Sequence, residues 1–313
     1  MCSSDLNAHA DYRVFTTDWD VIGPLEVSND FNFGMIEKLE DSVGHMIGPI
    51  QKDLERAIAA NSRSFWVPGH RSGKLHSANL SRLKFGDDRV FRRQEEHSCK
   101  DTAIELVVDC SGSMRSVDKI WVAINAAYAL CSTLTRMNVA NEVIGFTTIG
   151  RKTSEMRGIY DKMCAEEIRI GTEFSRREPI YMPIFKSFED RLTTEHKKRF
   201  AYVAHGCGKC FQSNADGESL MVAARRLARR QERRKVMIVL SDGMPVASGN
   251  HHEIAAHTRR TVQEIAASGM EIVGIGICTE SVKQFYDRHV ILHSVEKLPQ
   301  VVMGELKHAL LHK

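Results

Sequence analysis

This 313-residue sequence is short of several features, and each absence removes a class of protein. The opening MCSSDLNAHADYR has neither a basic start nor an apolar core, so a secretory leader is not expected. The longest uncharged stretch near the middle, Ile120 to Thr135, is 16 residues and includes Asn125, Ser132 and Thr133. It is too short and too polar to span a bilayer and reads as a buried helix. Eight cysteines are scattered at positions 2, 99, 110, 131, 164, 207, 210 and 278. Without an export signal they are expected as reduced thiols in a cytoplasmic protein.

Familiar catalytic signatures are missing too. GHRSGKL, Gly69 to Leu75, has three residues between its glycines and Leu75 after the lysine. A phosphate loop needs four residues there, then Ser or Thr, with a strand in front, so the chain is not expected to hydrolyse ATP. In HHEIAAH, His252 and His257 are five apart and fall on different helix faces, which excludes the metalloprotease pattern. Cys207 and Cys210 form one C-x-x-C beside His205, and without a second pair they read as loop thiols. RRLARRQERRK places Arg225, Arg229 and Arg233 on one stripe and Arg226, Arg230 and Arg234 beside it. With no aromatic residues interleaved, this reads as a solvated or acid-docking face, and no nucleic acid partner is expected.

What is present is a charge gradient and a change of pattern. Residues 1–60 hold 11 acidic against 4 basic side chains, and the remainder 29 against 39, so a net −7 precedes a net +10. Such asymmetry suits pairing within the chain or with a charged partner. Residues 11–22 look extended. From Phe33 to Asn61, apolar positions recur at three- and four-residue steps through Ile36, Leu39, Val43, Met46, Ile50, Leu54 and Ile58. This predicts a helix that is kinked or split at Gly48-Pro49. Residues 62–100 read as a basic connector with a strand pair around Gly86 to Asp88.

From Asp101 the pattern alternates. Apolar strands are predicted at 103–109, 142–147, 236–241 and 271–278, and helices at 117–137, 215–231, 251–268 and 296–312. Continuous apolar strands between amphipathic helices predict a doubly wound α/β domain with a mostly parallel sheet over 101–313. Residues 1–100 form a helical and extended N-terminal region. An insertion is placed at about 150–212, with its helix near Phe185 to Tyr202.

The stretch IELVVDCSGSMRS stops a core strand at Asp109 and follows it with Ser111 and Ser113. In an open α/β sheet, ligands gather beyond the carboxyl ends of the strands. In extended backbone, residues 109, 111 and 113 face one way. A second strand, VMIVLSDG, ends at Asp242, and the loop QSNADGESL offers Ser213, Asn214 and Asp216. Hydroxyls with a few carboxylates are hard oxygen ligands suited to Mg²⁺, and too few to close its coordination shell. The competing reading makes Ser113 or Ser116 a helix cap.

This constellation resembles the metal-ion-dependent adhesion site of von Willebrand factor A domains, with Asp109, Ser111 and Ser113 matching its first motif and Asp242 its last. The family's middle threonine falls near Asn214, with Asp216 two residues on as the favoured third ligand. DYRVFTTDWDVI, GKLHSANLSRL, DDRVFRR, DCSGSM, GFTT, NADGESL and LSDGMPV together resemble the CobT subunit of aerobic cobaltochelatase, across most of the chain. That resemblance implies a non-catalytic subunit in cobalamin biosynthesis, with Mg²⁺ or Mn²⁺ at Asp109, Ser111, Ser113, Asp216 and Asp242. It implies partners too: an AAA+ ATPase that alone uses ATP, and a large chelatase subunit that binds the corrin, with a ring-shaped assembly as one arrangement. Two alternatives stay open, a partner of a MoxR-type ATPase acting on another target and a metal-dependent phosphoesterase.

Overall fold

The computed structural model describes residues 12–61, 65–95, 101–149, 154–246 and 251–311. Strand β5 (Thr102–Asp109) is buried at every position, as its apolar run requires. It lies at the centre of a seven-stranded sheet ordered β1-β7-β6-β5-β8-β9-β10. The other strands are β1 (Val21–Pro24), β6 (Ala140–Thr148), β7 (Ile180–Lys186), β8 (Arg234–Ser241), β9 (Glu271–Ile277) and β10 (His289–Leu292). All neighbours pair in parallel except β6 with β7.

Helices cover both faces, as a buried parallel sheet demands. On one side α1 (Gly34–Asn61), α2 (Lys119–Arg136), α4 (Thr194–Ala204) and α7 (Leu298–Leu311) enclose an apolar cluster that includes Leu39, Leu106, Leu130 and Phe200. On the other, α5 (Asp216–Ala228) and α6 (His251–Ala267) pack on Val107, Ile144 and Val239. Helix α3 (Ser154–Ile170) lies between β6 and β7. The core includes α1, and β1 extends the main sheet, so both N-terminal elements build into the same body.

Several expectations are corrected. Helix α1 runs unbroken through Pro49, because its apolar stripe from Ile36 to Leu54 stays buried on both sides of the proline. Residues 180–186 form β7, not the start of a helix, and the insert's helix α4 begins only at Thr194. Pro183 obscured that strand in the sequence; it takes no part in the ladder with β6 and lies against Gly145, where an added Cβ would come within 3.0 Å of its Cγ. Residues 74–75 and 91–92, on either side of Gly86, pair antiparallel, but Gly86 itself is not a tight hairpin turn. Residues 77–85 form a 3₁₀ helix that ends at Gly86 in the left-handed conformation. Strands β2 (Phe65–His70), β3 (Lys74–Leu75) and β4 (Phe91–Glu95) form a separate antiparallel sheet ordered β2-β4-β3. Helix α5 ends at Ala228, so Arg233 and Arg234 lie beyond it and the arginine stripes are not one helical face. Arg226, Arg230 and Arg234 pair within the chain, to Glu142, to Glu189 and Glu232, and to Glu271.

Candidate metal centre

Asp109 closes β5 with its side chain wholly buried. Its Oδ1 accepts the Ser111 backbone N–H at 2.9 Å, and its Oδ2 accepts the Ser241 hydroxyl at 2.8 Å. The carboxylate is therefore held from two strand ends at once, its own and that of β8. Ser241 Oγ in turn accepts the Gly243 N–H at 2.9 Å, which curls the Asp242 loop back over the sheet. Gly243 has φ 91°, and a Cβ there would lie 2.7 Å from the Val282 backbone nitrogen. Only glycine suits that turn.

The Ser111 and Ser113 hydroxyl oxygens stand 3.0 Å apart, Ser111 buried and Ser113 exposed. Residues 112–118 are a 3₁₀ turn, not extended chain. Neither serine caps α2: its N-cap is Asp118, which makes no side-chain cap bond, and Ser116 Oγ donates to the Ser113 carbonyl at 2.8 Å. The capping explanation for these hydroxyls thus fails on geometry.

The third loop is stitched to the first. Phe211 N–H donates to the Cys110 carbonyl and Gly112 N–H to the Gln212 carbonyl, each at 2.7 Å. Thr147 Oγ1 accepts from Gln212 N–H at 3.2 Å and donates to the Ser213 carbonyl at 3.1 Å. Asn214 then joins this loop to the Asp242 loop. Its Nδ2 donates to Asp216 Oδ1 at 2.7 Å and to the Met244 carbonyl at 3.2 Å, and its Oδ1 accepts Val246 N–H at 2.9 Å. Asn214 is occupied as an organiser, which leaves Asp216 as the acid of this loop. Asp216 opens α5, where the helix dipole favours a carboxylate. Gly217 lets that first turn approach α6, since a Cβ there would lie 2.2 Å from His257 Nδ1.

The acids of the three loops act on one another through charge. Burial and then the charge of Asp242 push the Asp109 carboxyl up to about 6. Burial, then the charges of Asp109 and Asp242, raise Asp216 well above the usual carboxylate range. Lys119 offsets part of this charge, its Nζ 3.1 Å from Asp242 Oδ2. The cluster is short of positive charge.

Among the described residues, no three His, Cys, Asp or Glu side chains gather into a chelating group. A cation here would therefore draw on the serine hydroxyls and retained waters as well as the acids, a hard-oxygen set that fits Mg²⁺ or Mn²⁺. The same holds for Cys207 and Cys210: no described cluster joins them to His205 or Cys164. Sequence reasoning missed Ser241 and Lys119. Ser241 stood in view within LSDG, whereas Lys119 reaches Asp242 only through the tertiary fold.

The family model described as the cobalamin biosynthesis protein CobT VWA domain matches residues 90–312. The uncharacterized protein YojO of Bacillus subtilis (strain 168) is 23% identical over 252 residues, covering 77% of this chain and 35% of its own length. The chain thus spans about a third of the curated relative it matches. Among solved structures, the pilus adhesin SpaC of Lactobacillus rhamnosus GG, in an open conformation, aligns over 67% of this chain and 30% of that chain, with 14% identity and a TM-score of 0.46. The manganese-loaded TRAP protein of Plasmodium vivax aligns over 66% of this chain and 74% of that one, with 11% identity and a TM-score of 0.44.

Proposed function

Because the chain belongs to the family of the cobalamin biosynthesis protein CobT VWA domain, we propose that it is a non-catalytic, metal-dependent adaptor subunit of a cobaltochelatase-like complex. The observation that supports this reading is Asp109 held between the ends of β5 and β8 by the Ser111 amide and the Ser241 hydroxyl, with the Ser111 and Ser113 hydroxyls 3.0 Å apart beside it. Asp109, Ser111, Ser113, Asp216 and Asp242 would hold Mg²⁺ or Mn²⁺. Bound there, the ion supplies a Lewis-acid position that a carboxylate from a partner can enter.

The rest is done by the chain's own residues. Ser241 and the Ser111 amide orient Asp109, Asn214 orients Asp216, and the Gly243 turn fixes the reach of Asp242. Met244 and Val246 leave apolar side chains exposed at the rim of the Asp242 loop, where a docked partner would cover them. The partners in this reading are an AAA+ ATPase, which alone consumes ATP, and a large subunit that receives cobalt for the corrin ring. No residue of this chain touches the corrin. No described helix is long and apolar enough to cross a membrane, and the reading assigns the complex to the cytoplasm.

The nearest guanidinium in sequence counts against phosphoester hydrolysis. Arg115 Nη2 donates to the Gly206 carbonyl at 3.0 Å and the group lies over the Phe211 ring, so it is committed elsewhere. A pull-down of the ATPase by wild type and by Asp109→Ala, with and without EDTA, tests the adaptor. Loss of the ATPase in EDTA and in the variant is expected. Binding unchanged by both would rule out a metal-bridged contact, and Mn²⁺-dependent hydrolysis of a phosphoester by the isolated chain would replace the adaptor with an enzyme.

A further inference from the structure

Tyr286 is a buried phenol with no partner. It follows β9, is 3% exposed, and its hydroxyl has no hydrogen-bond partner among the described residues. Its backbone is fixed: its N–H donates to the Val282 carbonyl at 3.0 Å, and its carbonyl lies 2.9 Å from His289 Nδ1. The ring packs where Gly274 has no side chain, since a Cβ there would come within 2.6 Å of its Cδ2. Phenylalanine would fill this slot without burying a polar atom. An unpaired buried hydroxyl is costly, so its presence calls for a partner.

Strand register shows where the ring points. Gly274 stands opposite Val239, and Val239 opposite Val107. Val107 is two residues before Asp109, so both side chains emerge on the same face of β5. Tyr286, Val107 and Val239 share one apolar cluster with Ala215 and Leu220, which bracket Asp216 at the start of α5. The phenol therefore sits on the face that carries Asp109 and Asp216. After burial, the charges of Asp216 and then Asp109 are what raise its pKa. Asn214 grips Asp216 by Oδ1 only, and a second donor would fix the plane of that carboxylate.

We propose that Tyr286 is a positioning residue of the metal centre, its hydroxyl reaching the Asp216 carboxylate through a water held between them. This rests on the metal-binding reading given above. Partners of metal ligands set the affinity of the ion, and losing one typically costs about 10–100-fold in binding.

The test is a calorimetric titration of the full chain with Mn²⁺, wild type against Tyr286→Phe, with urea midpoints of both proteins in EDTA. The expected result is a Kd weakened about tenfold in the variant, with the same EDTA midpoint for both proteins. An unchanged Kd overturns the inference. So does a drop in the EDTA midpoint that accompanies the weaker binding, because the hydroxyl would then be supporting the fold alone. Should the wild type bind no Mn²⁺ at all, the metal reading itself falls, an outcome distinct from binding that ignores the variant.

Discussion

The Arg176 guanidinium and the Glu218 carboxylate, each only 1% exposed, meet at 2.7 Å between Nε and Oε1 in the protein interior. Two more groups share this knot. Tyr12 donates its hydroxyl to the same Glu218 oxygen at 2.6 Å, and Asp20 takes Arg176 Nη1 and Nη2 at 2.9 and 3.1 Å. The N-terminal segment, the insert and the first turn of α5 are thereby joined two residues past Asp216.

Arg176→Ala should leave Glu218 buried without its cation and cost about 3–5 kcal/mol. The measurement is the shift in urea midpoint. A double variant, Arg176→Met with Glu218→Leu, should recover only part of that loss, because the charge pair is gone but Tyr12 and Asp20 still lose their partners. If the single variant is as stable as wild type, the pair contributes nothing to holding the N-terminal segment down.

Glu105 and Glu142 lie opposite each other on β5 and β6, both wholly buried. Arg226 clasps Glu142 at 2.5 and 2.6 Å, while neither Glu105 oxygen has a hydrogen-bond partner among the described residues. Burial, then the Glu142 charge, push Glu105 well above the usual carboxylate range. The folded value is raised above the unfolded one. Its stabilising contribution is therefore full below the unfolded value and is lost as pH rises towards the folded one. Glu105→Gln supplies a permanent N–H donor to Glu142 and should flatten that loss. Urea midpoints at about pH 6 and about pH 9 would show it: wild type should weaken between them by more than the variant.

How far the sequence could be read follows from these same residues. The runs that became β5, β6, β8 and β9 have apolar centres with few breaks because both faces are covered, and these centres mark them as core strands. Asp109 and Asp242 were legible because each ends such a run abruptly. Strand β7 was not, since Pro179 and Pro183 imitate a loop. Its identity depends on partners in β1 and β6 that no local pattern reveals. Lys119 was hidden for a similar reason. A lysine at a helix start looks ordinary until the fold brings it to Asp242.

Cation binding should depend on pH in the sense set by Asp109. Its carboxyl is pushed up to about 6 by burial and by Asp242, and a divalent ion binds the ionised form. Below pH 6 each further unit should weaken Mn²⁺ binding by up to about tenfold, as proton and metal compete for the site. Without metal the trend in stability reverses. The raised value means that Asp109 contributes most at low pH and that this contribution is lost as pH rises through 6. Thermal melts across this range, in EDTA and in excess Mn²⁺, should therefore diverge as pH increases. Parallel curves would mean that Asp109 takes no part in binding the ion.

Lys119 gives the final prediction, because its ammonium competes for the carboxylate that a cation would use. Its Nζ is 3.1 Å from Asp242 Oδ2 and the side chain is only 19% exposed, so water screens the pair weakly. With no metal present the ammonium relieves the repulsion among the three acids. Once a divalent ion arrives, the two positive charges oppose each other, and part of the binding free energy goes into displacing the lysine. Lys119→Met keeps the apolar stem and removes the charge. The variant should be less stable than wild type in EDTA, yet bind Mn²⁺ more tightly by about 3- to 10-fold, the order expected for one like charge removed from a partly buried site. Calorimetry and melts on the same two proteins would separate these effects. Weaker binding in the variant would instead make Lys119 a support for Asp242 and not a competitor for it.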